Sequence, residues 1–240
     1  MPEASEFADL ARFRDQRDDP VPDVVFTLHP EPELVWRNEL GGLTYRVGDR
    51  YVKWSPRTAG IELARERNRL LWLEGRHPAP RVAAYGEDHE AEWLVTDGLA
   101  GEHAVGDTWR ERPSEAITAI AHGLRAIHAV PVDDIARGWE SWLLRTPPEL
   151  GTRPPILNPV LVHGDACAPN TLISHDGAWV GNVDFGDLAV GDRWADLAIA
   201  SMSLDWNFGE GHQDEFFAAY GTGRDDERIR YYRALWDLES

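Results

Sequence analysis

Residues 161 to 187, LVHGDACAPNTLISHDGAWVGNVDFGD, constrain the architecture more than any other stretch of this 240-residue chain. The apolar run Pro159 to Val162 reads as a strand that delivers Asp165 just past its end. Thr171 to Ser174 and Ala178 to Asp184 then read as a hairpin around His175-Asp176-Gly177. A hairpin brings its exit back to its entrance. Asp184 therefore returns to the neighbourhood of Asp165, with Asn170 at the start of the hairpin.

That order, a carboxylate, an amide five positions later and a second carboxylate opening Asp184-Phe185-Gly186, suits the transfer of a phosphoryl group. Asp165 orients a hydroxyl nucleophile as the catalytic group, and Asn170 and Asp184 hold Mg²⁺ on a nucleotide. Mg²⁺ takes oxygen ligands, usually only one or two of them from protein carboxylates, so this pair is sufficient. Each piece alone is commonplace, since Asp165 and Asp184 could simply cap turns; the combination in its structural context is specific. Other metal chemistry fails on counting. His163 with Asp165 lacks the larger His/Asp set of a two-metal site, His175 and His212 lack suitably spaced acids, and one cysteine gives no tetrahedral zinc cluster.

HGDACAPN, the Asp-x-Gly element and GDRWADLAIA together resemble the aminoglycoside phosphotransferases, above all the 3′-phosphotransferases or kanamycin kinases. VWRNELGGLTYRV, ERNRLLWLEG and RIRYYRALWDL resemble the same family in the same order, so the likeness covers roughly residues 33 to 238. It implies an α+β, two-lobed fold similar to protein kinases, with a small antiparallel β lobe and a larger, mainly helical lobe. It also implies ATP or GTP with Mg²⁺ as cofactors and a cationic aminoglycoside as acceptor.

The first lobe is expected to run to residue 97, behind an acidic segment of about residues 1–25, and the second from 98 to 240. Glu33 to Glu39, Leu43 to Val47 and Arg50 to Trp54 alternate as three antiparallel strands joined by Gly41-Gly42 and Gly48-Asp49. Ile61, Ala64, Asn68, Leu71 and Trp72 recur at helical spacing, with Gly75 where the helix should stop. Val82 to Tyr85 and Glu92 to Thr96 complete five strands. Lys53 shares a strand face with Tyr51, and a lysine in an apolar strand must find an anion or reach water. On the strand alone it reads as an edge lysine. The resemblance makes it the nucleotide-binding lysine and Glu66 its partner, while spacing leaves Glu62 open as well. Gly41-Gly42-Leu43-Thr44 is no GxGxxG loop; by resemblance it covers the phosphates, with Thr44 as its small hydroxyl residue. Thr96 to Leu99 is expected to connect the lobes and, by resemblance, to meet the adenine edge through backbone groups.

In the second lobe Ile117, Ile120, Ala121, Leu124, Ile127 and His128 form an apolar stripe behind Pro113-Ser114, with His128 read as a packed core residue. Asp192 precedes the run Trp194 to Leu204 and is placed to cap it. By resemblance Asp192 instead reaches the catalytic loop backbone, with His163 also supporting the site and Asp196 structural.

The charge balance, 24 basic against 42 acidic side chains for a net −18, disfavours nucleic acid and anionic membranes as partners. It suits a polycation, although acidity also serves solubility. The single cysteine, Cys167, forms no internal disulfide and fits a reducing cytoplasm. The acidic N-terminus lacks the apolar core of a secretory signal, and no apolar run is long enough to span a membrane.

Ammonium groups of the acceptor are expected to meet Asp237, Glu239 and Ser240 at the C-terminus, with Asp205 and Glu140. The chain departs from the kanamycin-type pattern at the short connection from His128 to His163, which keeps Asp133, Asp134, Glu140, Glu149, Trp139 and Trp142. It departs again at Asp187, where the pattern has arginine. Rival readings are a kinase for choline, homoserine or a macrolide on the same fold, or a nucleotide-binding module without catalysis. The last needs a broken site, and Lys53, Asp165, Asn170 and Asp184 are all present.

Overall fold

In the computed structural model, which describes residues 21–239, the alternating segments build a five-stranded antiparallel sheet. The sheet belongs to a unit formed by residues up to Glu74 together with Pro80–Leu99. Along the chain this unit carries α1 (Asp23–Leu28), β1 (Glu33–Arg37), β2 (Leu43–Val47), β3 (Arg50–Pro56), α2 (Leu63–Leu73), β4 (Val82–Glu87) and β5 (Ala91–Asp97). The spatial order is β1-β2-β3-β5-β4. Because side chains alternate across a strand, Leu43, Tyr45, Val47, Val52 and Val95 collect on one face and bury Val25 of α1. The intervening positions face the other way. There Thr44 stands directly opposite Lys53 and Lys53 opposite Leu94.

β1 stops at Arg37, earlier than alternation suggests, because Asn38 closes the turn. Its backbone N–H donates to Gly42 O (2.9 Å), and its Oδ1 accepts from Gly42 N (2.7 Å). The helical stripe expected for α2 is also corrected. Leu63, Glu66, Leu70 and Leu73 are buried, whereas Asn68 and Leu71 face solvent. Two apolar rows overlap in this sequence, and the buried one is disguised by the acid at its centre. Glu62 precedes the first helical turn and is exposed, so it is not on that row. It provides no side-chain cap; Glu92 of β5 accepts from Ala64 N instead (3.2 Å). Gly75, at φ 73°, follows as the left-handed stop. Thr96 and Asp97 lie inside β5 and not in a connector, and Gly98 N still bonds Asp49 O (2.8 Å).

Gly75–Ala79 and the chain from Ala100 onward form the second unit. It contains β6 (Glu102–His103), α3 (Asp107–Arg110), α4 (Pro113–His128), α5 (Asp134–Arg137) and β7 (Val160–Val162). β8 (Thr171–Ile173), β9 (Trp179–Asn182), β10 (Ala189–Gly191), α6 (Trp194–Phe208), α7 (Gln213–Tyr220) and α8 (Asp226–Glu239) complete it. The stripe of α4 is buried as its 3.6-residue period requires, and Pro113 sits at the first helical position, where its missing N–H costs nothing. α6 is buried from Trp194 through Ser201 without a gap, so it runs through the interior of the unit.

The segment Gly75–Ala79 joins this unit through His77. Its Nε2 donates to Asn182 Oδ1 (3.3 Å), its ring lies against Trp179 and Phe185, and Pro78 O accepts from Asn182 N (3.2 Å). Burial pulls the His77 pKa down to about 4, so the ring is neutral. Among the described residues no helix is long and apolar enough to cross a membrane.

Candidate active site

β7 pairs antiparallel with β10 and hands the chain to His163-Gly164-Asp165. Gly164 has φ 87°, and a Cβ there would stand 2.2 Å from the Asp187 carbonyl oxygen. Only glycine allows the loop after Phe185 to close onto this turn. The hairpin β8–β9 forms where alternation places it, and Val183 N bonds Asn170 O (3.0 Å). Asn170 and the Asp184 loop are thereby tied together. Asp184 is the one non-glycine among the described residues with positive φ, 67°, a strained backbone of the kind concentrated at functional loops.

Asn170 Nδ2 donates to Asp165 Oδ2 (2.9 Å) and to Asp165 O (3.0 Å). The other carboxylate oxygen, Asp165 Oδ1, is buried with no hydrogen-bond partner. Burial raises the Asp165 pKa and the negative charge of Asp184 adds to the rise, while His163, Cys167 and Asn170 oppose it. Burial, reinforced by Asp165, likewise pushes the Cys167 thiol well up, so it is a packed protonated thiol and no nucleophile. A buried, unpartnered carboxylate oxygen with a second acid beside it is the kind of surrounding in which a cation is stabilised. With its amide nitrogen committed to Asp165, Asn170 presents its oxygen as the donor. Asn170 and Asp184 offer hard oxygen donors of the kind Mg²⁺ takes, an ion that usually draws most of its ligands from phosphate and water.

The loop is held from below by Asp196 on α6. Its Oδ2 accepts from His163 N (2.8 Å) and its Oδ1 from Gly164 N (3.0 Å), and Oδ2 also accepts from His128 Nε2 (2.9 Å). His128 Nδ1 in turn accepts from the Tyr220 hydroxyl (2.8 Å). His163 Nε2 donates to Val183 O (2.9 Å), while its Nδ1 accepts from Asp165 N (3.2 Å). The resemblance assigned the loop-holding position to Asp192, and the structure corrects this. Asp192 accepts from Trp194 N (3.2 Å) at the start of α6 and pairs with Arg228 of α8. The signal that separates the two acids was helical. Asp196 sits in the first turn of a helix that is buried on every side from Trp194 to Ser201, where a carboxylate must be surrounded by donors. His128 is buried as its place on the apolar stripe of α4 leads one to expect, but it is also the middle member of this chain of bonds.

In the sheet unit Lys53 Nζ lies 2.8 Å from both carboxylate oxygens of Glu66, so the lysine's partner is Glu66 and not the exposed Glu62. Thr44 lies across the strand pair from Lys53, on the same sheet face. Thr96 pairs with Tyr51 and Val82 within the sheet, and Leu99 is half-buried beyond its end. The residues expected to meet an acceptor are scattered within the helical unit. Asp205 accepts from Gln213 (2.5 Å) beside Glu210 and Asp214, in a hollow that also includes Arg224. Glu239 is paired with Arg145, Asp237 is near the end of α8, and Glu140 is exposed on the connection before β7. Ser240 lies outside the described residues. Asp133 N-caps α5 through Ala136 N (3.0 Å) and is taken up by that role.

A family model for the phosphotransferase enzyme family matches residues 35–150 and 132–233. The chain belongs to this family. An aminoglycoside 3′-phosphotransferase of Streptomyces fradiae is 32% identical, over 86% of this chain and 94% of its own. A streptomycin 3″-kinase of Streptomyces griseus is 30% identical, over 84% and 89%. The crystal structure of a type VIII aminoglycoside 3′-phosphotransferase superposes with a TM-score of 0.70 at 26% identity, over 90% of this chain and 98% of that one. This phosphotransferase therefore has the α+β kinase-like fold, a small antiparallel unit plus a mainly helical one, expected from its motifs.

Proposed function

We propose that this phosphotransferase moves the γ-phosphoryl group of ATP to a hydroxyl of an aminoglycoside, the 3′-hydroxyl by preference, and so confers resistance to the antibiotic. The observation that carries the reading is the joining of Asp165, Asn170 and Asp184 by two loops that a glycine and a strained aspartate bring together, with Asp165 Oδ1 left unpartnered.

Asp165 accepts a hydrogen bond from the acceptor hydroxyl, orients it, and takes its proton as the oxygen–phosphorus bond forms. Lys53, held by Glu66, meets the α- and β-phosphates, with Thr44 beside it on the same sheet face. Asn170 and Asp184 would hold Mg²⁺, which neutralises charge on the phosphates when bound. Most of the acceleration comes from positioning and charge stabilisation, because a carboxylate is a weak base and the loop around it is fixed before substrate arrives. Asp237, Glu239 and Asp205, with Glu140 and Ser240, are the acids and terminus assigned to the acceptor's ammonium groups; Arg145 occupies Glu239 until such a cation displaces it. Relatives of nearly equal similarity bear 3′ and 3″ names, which makes regiochemistry the first quantity to measure.

ADP release across kanamycin, its 3′-deoxy analogue, streptomycin, choline, homoserine and a macrolide tests the proposal. Kanamycin should stimulate release and the 3′-deoxy analogue should not. Equal turnover of both moves the reaction to another hydroxyl, and release with choline or a macrolide alone overturns the acceptor class. Asp165→Ala should lower kcat about a hundredfold or more with nucleotide affinity preserved, and wild-type turnover in that variant would end the catalytic assignment. Asp184→Ala should lose Mg²⁺-dependent nucleotide affinity and activity together.

A further inference from the structure

The peptide group joining Gly164 to Asp165 sets the direction of the Asp165 side chain, and both of its polar ends are held. Its N–H, that of Asp165, donates to His163 Nδ1 at 3.2 Å. Its carbonyl, that of Gly164, accepts from the indole Nε1 of Trp142 at 2.7 Å in a buried contact. The residue on the near side of this peptide is a glycine in the left-handed region, with no side chain to resist rotation of the peptide plane. Two hydrogen bonds at opposite ends of the plane replace that missing resistance.

Trp142 comes from the connection between α5 and β7. It opens a single 3₁₀ turn, Trp142–Leu144, which is firmly seated. Leu143 is fully buried against Gly191, where an added Cβ would stand 2.4 Å from Leu143 Cδ1. The Trp142 ring meets Trp236 of α8 edge to face, with centroids 5.2 Å apart and planes at 84°. Three residues further along α8, Glu239 pairs with Arg145, the residue that follows the turn. The same turn thus touches the peptide that aims Asp165 and, at two points, the end of the C-terminal helix.

We infer that Trp142 is a positioning residue for Asp165 and that, through Trp236, it links the aim of Asp165 to the end of α8. The inference rests on Asp165 being the group that meets the acceptor hydroxyl. A buried carbonyl that loses its donor is costly to leave unpaired, so without the indole N–H the plane rocks to find another partner and Asp165 spends less time correctly aimed. Such a loss falls on kcat and spares ground-state binding.

The test is Trp142→Phe, which keeps an aromatic ring and removes the donor. We expect kcat with a kanamycin-type acceptor to fall about tenfold, with acceptor KM and the dissociation constant for ADP within about twofold of wild type. Trp236→Leu should lower kcat in the same direction by a smaller factor. The double variant should be no slower than Trp142→Phe, because both changes release one element. Full kcat in a folded Trp142→Phe overturns the inference, as does an effect confined to KM. If that variant fails to fold, benzothienylalanine placed at 142 keeps the two-ring shape and substitutes sulfur for N–H; a tenfold loss of kcat supports the inference and full kcat overturns it. Asp165→Asn measured in parallel separates the two levels. Wild-type turnover in that variant defeats the catalytic assignment, whereas an inactive Asp165→Asn beside a fully active Trp142→Phe defeats the positioning inference alone.

Discussion

The sheet unit and the helical unit hold their candidate functional side chains in different ways. Lys53 is placed by two regular repeats: strand register sets it opposite Thr44 and Leu94, and helical spacing brings Glu66 to 2.8 Å. Asp165 sits on an irregular loop whose position depends on side chains far away in sequence. His163 and Gly164 lean on Asp196, Asp196 on His128, His128 on Tyr220, and the Gly164 carbonyl on Trp142. A regular element carries its own geometry, whereas a loop borrows geometry from whatever its polar groups can bond. Damage should therefore stay local in the first unit and spread in the second.

The largest expected effect is at Asp196. Asp196→Ala leaves two buried backbone N–H groups and the His128 ring without their acceptor, and at ~1–3 kcal/mol for each unsatisfied group the loss should approach about 4 kcal/mol. Urea denaturation measures it. A change below about 1 kcal/mol would mean that the loop holds itself and would erase the contrast.

His77 gives a similar effect through pH. Its pKa falls from 6.5 in the unfolded chain to about 4 in the fold, so between those values the unfolded state binds more protons and stability drops as pH falls. The drop starts near pH 6.5, is complete near pH 4, and amounts to about 3 kcal/mol at ~1.4 kcal/mol for each pH unit. In denaturation curves from pH 7 to 4, His77→Gln should lose this part of the pH dependence. A variant whose stability falls as steeply as wild type's would show that His77 is not the titrating group.

In the sheet unit the effects are smaller. Glu66→Gln removes the charge that holds Lys53 and should raise the KM for ATP roughly tenfold, equivalent to about 1.4 kcal/mol, with unfolding little changed. Glu62→Ala, at an exposed site outside the helix, should alter KM and stability by less than about 0.5 kcal/mol. A larger effect at Glu62 than at Glu66 would reverse the assignment of the lysine's partner.

The smallest effect concerns the acceptor. Removing the competitor for Glu239 with Arg145→Ala should lower the aminoglycoside KM by a few-fold at low salt. The gain should fade as ionic strength shortens the Debye length to ~8 Å at physiological salt. An unchanged KM at low salt would detach Glu239 from the acceptor.

By itself the sequence determined what depends on short-range repeats and backbone chemistry. β2 runs from Leu43 to Val47 as alternation requires, α4 buries the stripe from Ile117 to Ile127, and the hairpin around Gly177 returns Asp184 toward Asp165. Those features, with the phosphotransferase motifs, were sufficient for the fold and the family. What only the tertiary structure decided were the partners of buried polar groups. The true inner face of α2 became visible once Lys53 was seen to neutralise Glu66, and the choice between Asp192 and Asp196 once one was seen against Arg228 and the other beneath the loop. His77, His128 and Trp142 carry no local pattern that sets them apart from ordinary core residues. Their importance comes from bonds spanning 105, 68 and 22 positions, and a polar side chain's role in an interior is set by what satisfies it there, which neighbours in sequence do not specify.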